Sequence, residues 1–350
     1  MNSIERFKAW KSGGQFDRMP VRHLAEKSIN DMLYDYFGVD EGEYTRLLDR
    51  IGDDFRAIYP AYAGPEELGN TGTHEQGVCN ASIFGSAMSA AFPGRSRPLA
   101  HIESLSEVPP KYIPDTEWLD YSLIPRLCEQ YREYIKIAGY CEFDFINGIN
   151  MLRGEEQGFV DIALKEPVYL ELVELRYEFG MANLRKVLEA GDGNIDIIHF
   201  GDDLGTQIDL LISPRDFMEL FGQKYRCAFK LAKSYGALTM MHVCGSVRKM
   251  IPCLAELGLD ILDVVQTNAA GMEIRGLHRD FRDTIWFSGS MCVQNTLPFG
   301  TRDDVIQETN LRKMLFQSGG LILGPSHLIQ DNTPLENVLA MYETIGSIRE

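Results

Sequence analysis

His242 and Cys244 stand two positions apart at the end of an apolar run, Gly236-Ala237-Leu238-Thr239-Met240-Met241, and Gly245 follows at once. The run has strand character. Successive side chains of a strand point to opposite faces, so His242 and Cys244 project to the same side. An imidazole and a thiolate held side by side are two of the three protein ligands of a catalytic zinc site. The same pair also suits a packed core, where Cys is frequent and His common. What decides between the two is the company they keep. Other polar residues stand just past other apolar runs: Asp202 and Asp203 after Ile195–Phe200, Gln266 and Asn268 after Asp260–Val265, and Ser288 and Ser290 within 284–290. Ser326, His327, Gln330 and Asp331 follow the last run, Gly320–Gly324.

The elements that must position these residues alternate regularly. Strands are predicted over 140–147, 195–200, 236–242, 260–265, 284–290 and 320–324. Helices are predicted over 159–164, 168–188, 214–234, 250–257, 303–317 and 335–348. Repeated βα units of this kind build a parallel sheet, and the expected fold is α/β, a single (β/α)8 TIM barrel spanning 1–350 as one domain. A barrel collects its chemistry at the C-terminal ends of its strands, where the candidates above all fall. A doubly wound sheet is the alternative, but no G-x-G-x-x-G opens a helix after the first strand, so dinucleotide binding lacks support.

Ahead of the repeats, residues 1–50 read as an N-terminal helical extension. It holds a helix over Ser3–Trp10 capped by Ser3, and another over Ile29–Phe37 closed by Gly38. Asp53 and Asp54 then introduce a short strand ending near Pro60. Residues 61–98, rich in Gly, Ala, Ser, Asn and Pro, read as a loop-rich insertion of loops and short strands that covers a site. A helix is predicted over 124–138.

The chain has 350 residues, in the range of a barrel of about 250 plus insertions. Its 34 Lys and Arg against 51 Asp and Glu give a net charge of −17. Such a surface repels nucleic acid and anionic membranes, which leaves small-molecule and protein partners. No apolar run approaches the roughly 18 residues of a membrane span. The start, Met1-Asn2-Ser3-Ile4-Glu5-Arg6, has no secretory pattern, and a cytoplasmic location is expected. Seven scattered cysteines do not form a secreted disulfide framework and are expected as reduced thiols.

Three segments together resemble the uroporphyrinogen decarboxylase superfamily: Gly201-Asp202-Asp203-Leu204-Gly205-Thr206-Gln207, His242-Val243-Cys244-Gly245, and Leu323-Gly324-Pro325-Ser326-His327 with its continuation to Pro334. The superfamily contains true decarboxylases and zinc-dependent, corrinoid-linked methyltransferases. The methyltransferase branch carries H-x-C and a distant cysteine after the last strand, all binding zinc. Here the closing segment has no cysteine, and His327 stands as its counterpart, an imidazole that also binds zinc well. Arg153-Gly154-Glu155-Glu156 resembles the branch's R-G-x-E segment and makes Glu156 a further ligand candidate, though a helix-start carboxylate has the same appearance.

The resemblance implies zinc at His242, Cys244 and His327, with Glu156 in reserve, and a corrinoid carried by a partner protein. It implies methyl transfer between that corrinoid and a thiol or tetrahydrofolate. Asp202 and Asp203 are candidates to orient ligand N–H groups or to hydrogen-bond His242, against a plain loop-capping role. Gln207, Gln266 and Ser290 are candidates to line a bound cofactor. A homodimer is in keeping with the superfamily. The decarboxylase reading rests on Asp54 and His327, which match that branch's aspartate and closing histidine. Its paired-arginine segment is replaced here by Pro20-Val21-Arg22-His23-Leu24-Ala25, and H-V-C-G has no use in a cofactor-free reaction. A third reading is a non-catalytic barrel that binds a small ligand.

Overall fold

A computed structural model describes residues 1–68, 73–74, 77–78 and 80–349; residues 69–72, 75–76 and 79 of the predicted insertion lie outside the described residues. Seven strands form one parallel sheet in strictly sequential order: β1 (Phe55–Ile58), β2 (Ile135–Phe143), β3 (Ile197–Gly201), β4 (Leu238–His242), β5 (Ile261–Asp263), β6 (Trp286–Met291) and β7 (Leu321–Pro325). Helices fill most of the connections, as parallel pairing demands. Strands such as β3 and β7 are buried along their whole length, which is why they read as continuous apolar runs.

The sheet is not the eight-stranded barrel expected. Among the described residues it has seven strands, and the extended segment 20–25 lies between the last and the first. Leu323 N donates to Pro20 O at 2.8 Å and Arg22 N to Leu323 O at 3.1 Å, while Asp54 N donates to Val21 O at 2.9 Å on the other flank. Pro20 has no N–H to give to a ladder, and the segment makes only isolated bridges, at Val21 and Ala25.

Alternation along the strands sets what lies inside the curl. Phe55, Ile135, Ile137, Ile197, Leu238, Met240, Ile261 and Ile322 form one apolar cluster, closed by Phe7 and Trp10 from the helix Ser3–Lys11. His199 is two residues past Ile197, His242 two past Met240, and Asp263 two past Ile261. The inward rows thus change from apolar to polar at the strands' C-terminal ends. A helix plugs the opposite end.

Several local expectations change. The first helix is capped by Asn2, whose side chain accepts from Glu5 N at 2.9 Å in a reciprocal capping box, rather than by Ser3. Ser3 instead donates to Asp54. The helix predicted to 138 ends at Gln130, and β2 begins at Ile135, where Ile135, Ile137 and Ala138 are buried against β1 and β3. The insertion contains a helix, Asn80–Ala91, beside its short strands. Gly38 does end its helix in the left-handed region, at φ 61°. No helix among the described residues is long and apolar enough to cross a membrane.

Candidate metal centre

β4 delivers His242 into the curl, the turn after it delivers Cys244, and the turn after β7 delivers His327. One ligand atom from each lies within 4.8 Å of the others. Tetrahedral bonds of about 2.2 Å need separations of roughly 3.6 Å, so a shift of about 1 Å closes the three onto one ion. His242 Nε2 is already 3.0 Å from Cys244 Sγ, and the His242 and His327 rings meet edge to face with centroids 5.5 Å apart.

The turn that carries Cys244 depends on close backbone approach. Gly245 has φ 84°, and a Cβ there would lie 2.5 Å from Gly205 O; a Cβ on Gly205 would lie 2.9 Å from Cys244 O. Both glycines therefore let the loops after β3 and β4 touch. Gln266 pins the same turn by accepting from Gly245 N at 3.0 Å.

Charge is arranged behind the imidazole. Asp263 Oδ2 lies 3.1 Å from His199 Nε2, 3.1 Å from Arg22 Nη1 and 3.9 Å from His242 Nδ1. Burial alone would raise the Asp263 carboxyl, but Arg22, then His199 and His242, hold it well below the usual range. Burial pushes His242 down to about 4, against the pull of Asp263 and Asp203, so its imidazole is neutral. Burial, with Asp203 next, pushes the Cys244 thiol up. An imidazole and a thiol are both donors to a divalent cation, the thiol once it has lost its proton. At 3.9 Å from His242 Nδ1 the Asp263 carboxylate acts on the ring through its charge rather than through a hydrogen bond.

The cluster opens onto a cavity of about 200 Å³, lined also by Asp144, Asn147, Asp202 and Asp203. Asp203 Oδ1 is 3.9 Å from His242 Nε2. Asp202 is buried and accepts from Phe145 N at 3.0 Å, Ile146 N at 3.0 Å and Asn147 N at 3.2 Å, capping the helix Ile146–Arg153.

The sequence model of the family described as "Uroporphyrinogen decarboxylase (URO-D)" matches residues 163–348, more than half of the chain. The chain belongs to this family. Two curated relatives, both "Methylcobamide:CoM methyltransferase MtaA" of Methanosarcina barkeri, one of them from strain Fusaro / DSM 804, are 26% and 25% identical to it over 180 residues. The matched segment covers 51% of this chain and 48% of each relative, so the chain spans about half the length of the curated relatives it matches. A solved "methyltransferase from Methanosarcina mazei" aligns over 99% of this chain and 98% of its own, with a TM-score of 0.64 and 17% identity, which establishes a shared fold. Within the uroporphyrinogen decarboxylase family, the two curated relatives point to the methyltransferase branch.

The structure brings together His242, Cys244, His327, Asp202 and Asp203, and separates others from them. Asp54 precedes β1, at the opposite end of the sheet from His242, and is fully buried. It accepts from Ser3 Oγ, Arg6 Nη1 and Arg18 Nη1 at 2.7 Å each and from Val21 N at 2.8 Å. Every lone pair is committed, so it ties the N-terminal helix to the sheet and does not reach the cavity. Glu156 is exposed in the first turn of the helix Glu155–Leu164, outside the ligand cluster, as a helix-start carboxylate would be. Arg153 of the same segment is buried against Asp161. Gln207 is exposed and pairs with Gln294. Gln266 and Ser290 are buried and are not among the residues that line the cavity; Ser290 Oγ and Gln266 Nε2 have no partner among the described residues.

Sequence reasoning did not single out Asp263, Arg22, Asp144 or His199 as site residues. His199 is buried and bonded to Asp263, and it lines the cavity as well. Asp263 was detectable, because it ends a strand two residues after an inward-facing apolar position.

Proposed function

We propose that this chain is a methyltransferase that moves a methyl group between a methyl-cobamide, carried by a partner protein, and a thiol, with zinc held by His242, Cys244 and His327. The observation that supports it is the convergence of three zinc-type donors at the C-terminal ends of the strands, in a chain whose curated relatives are named for methyl transfer from a methylcobamide. A zinc ion bound there supplies a Lewis acid that lowers the pKa of an incoming thiol.

The remaining work falls to the protein. Asp263, 3.9 Å from His242 Nδ1, attracts that side of the ring by its charge and leaves Nε2 toward Cys244, and Arg22 and His199 keep that carboxylate ionised and in place. Asp203, partly exposed beside His242 Nε2, is placed to accept the thiol proton and pass it to solvent. In the transfer the sulfur's electron pair forms the S–C bond, and the pair of the broken Co–C bond stays on cobalt.

The test is metal analysis of protein purified without chelator, beside Cys244→Ala and His327→Ala, with methyl transfer from methylcobalamin to 2-mercaptoethanol followed by the cobamide's absorbance. About one zinc per chain, lost together with transfer in both variants, is expected. Zinc lost only in Cys244→Ala removes His327 from the site. No zinc even after reconstitution refutes the metal reading.

A further inference from the structure

Four carboxylates line the cavity beside the metal ligands, Asp144, Asp202, Asp203 and Asp263, against one guanidinium, Arg22. Arg22 is occupied by Asp263. The start of the helix Ile146–Arg153, the other positive feature of the wall, is occupied by Asp202, which accepts from its first N–H groups. Among the described residues that line it, the cavity offers an anion neither a free cation nor a free helix terminus.

Asp144 is different. It is 8% exposed, and its Oδ1 has no hydrogen-bond partner among the described residues. Its other oxygen is ion-paired with Arg176 Nη2 at 3.7 Å, and burial, against the pull of Arg176, raises the carboxyl to about 6, so that it is still charged at neutral pH. A buried carboxylate oxygen without a donor is costly, and a donor brought by a ligand removes that cost. Asp144 also lines a second hollow, of about 680 Å³, together with Gly85 and Ala90 of the helix Asn80–Ala91 and Met151 and Leu152 of the helix Ile146–Arg153. It therefore stands where a small acidic chamber at the metal ligands meets a larger groove with apolar walls.

We propose that the substrate meeting the His242, Cys244 and His327 cluster is an amine-bearing molecule, whose protonated nitrogen is held by Asp144 with Asp203 while any longer apolar part lies in the groove over Ala90, Met151 and Leu152. This rests on the reading of the cluster as a metal-held methyl-transfer site and names the chemical class that the site accepts. Asp263 and Asp202 are already compensated, by Arg22 and by the helix start, so the carboxylates that disfavour an anionic thiol are Asp203 and Asp144.

Calorimetric titration of the zinc-loaded protein with three thiols of matched length tests the charge preference: 2-aminoethanethiol, 2-mercaptoethanol and 2-mercaptoethanesulfonate. A charge-assisted hydrogen bond predicts that the aminothiol binds about tenfold or more tightly than the sulfonate, with the neutral thiol between. Asp144→Asn, which keeps a side chain tolerant of the φ of 35° found there, is expected to shrink that preference to about twofold. A sulfonate that binds as tightly as the aminothiol to the unaltered protein overturns the proposal, whether or not the variant folds. Failure of the neutral thiol to bind would count against the metal reading alone. Displacement by ethylamine but not ethanesulfonate then still supports the cavity's preference, and the reverse order refutes it.

Discussion

Replacing Asp54 with asparagine separates a structural aspartate from a catalytic one. Asp54 is fully buried, Arg6 and Arg18 have side chains only 4% and 10% exposed, and the carboxylate accepts from both guanidinium groups as well as from Ser3 and Val21. An amide keeps the shape, loses the charge, and turns its own N–H₂ toward a guanidinium. Breaking a buried ion pair from one side costs about 3–5 kcal/mol, because the remaining charge is left without compensation. An unfolding entropy of about 2.1 cal/mol/K per residue gives roughly 0.7 kcal/mol/K for 350 residues, so the melting temperature should fall by about 4–7 °C. The assay is thermal unfolding followed by circular dichroism, with zinc content and kcat for methyl transfer measured well below the transition. Stability should drop while zinc content and kcat hold. An unchanged melting temperature with kcat reduced a hundredfold or more would refute the argument and return Asp54 to the reacting centre.

Asp263→Asn should weaken zinc binding by about 10–100-fold, since it removes the carboxylate that orients His242 and accepts from His199; competition with a chromophoric chelator measures it. Gly245→Ala should also lose metal while keeping the global fold, because its Cβ would meet Gly205 O at 2.5 Å and displace the turn bearing Cys244; zinc content and far-ultraviolet circular dichroism, read together, decide this. His23 is buried between Tyr342 Oη and Asn30 Oδ1, and burial lowers it to about 4 despite the Asn30 hydrogen bond. Below its ordinary value of 6.5 the unfolded chain takes up a proton that the folded chain refuses, so His23's contribution is complete above pH 6.5 and is lost as pH falls toward 4. Urea unfolding at pH 7.5 and 4.5 should show His23→Gln losing about 2.5 kcal/mol less than the parent chain across that interval. Equal losses in the two proteins would remove His23 as the cause.

Of the candidate ligands, the pair His242 and Cys244 was legible from the sequence as two chemistry-bearing side chains at a strand's exit, although the strand ends at His242 and the turn after it carries Cys244. His327 was legible only through the family resemblance. Leu238, Met240 and His242 alternate onto one inward face of β4, which is local geometry, while the placement of Cys244 depends on the turn that Gly245 and Gly205 permit. Partnerships across the fold have no such local sign. Asp263 pairs with Arg22, 241 positions away, and nothing in either neighbourhood requires the other. Asp54 and Asp203 are the same residue type beside similar strands; only the arginines around one and the cavity beside the other tell them apart. The segment 20–25 closes the gap beside β7 without strand periodicity, since its hydrogen bonds come from Leu323, Ile329 and Asp54 rather than from a repeating ladder of its own. The helix Asn80–Ala91 was hidden because small residues rich in Ser, Gly and Ala resemble a loop in composition. Those same small residues help to make a groove beside Asp144. The weakest local signal in the chain therefore coincides with the surface on which the proposed substrate preference depends: a ligand groove needs side chains small enough to leave room, and side chains that small impose no clear period on the sequence.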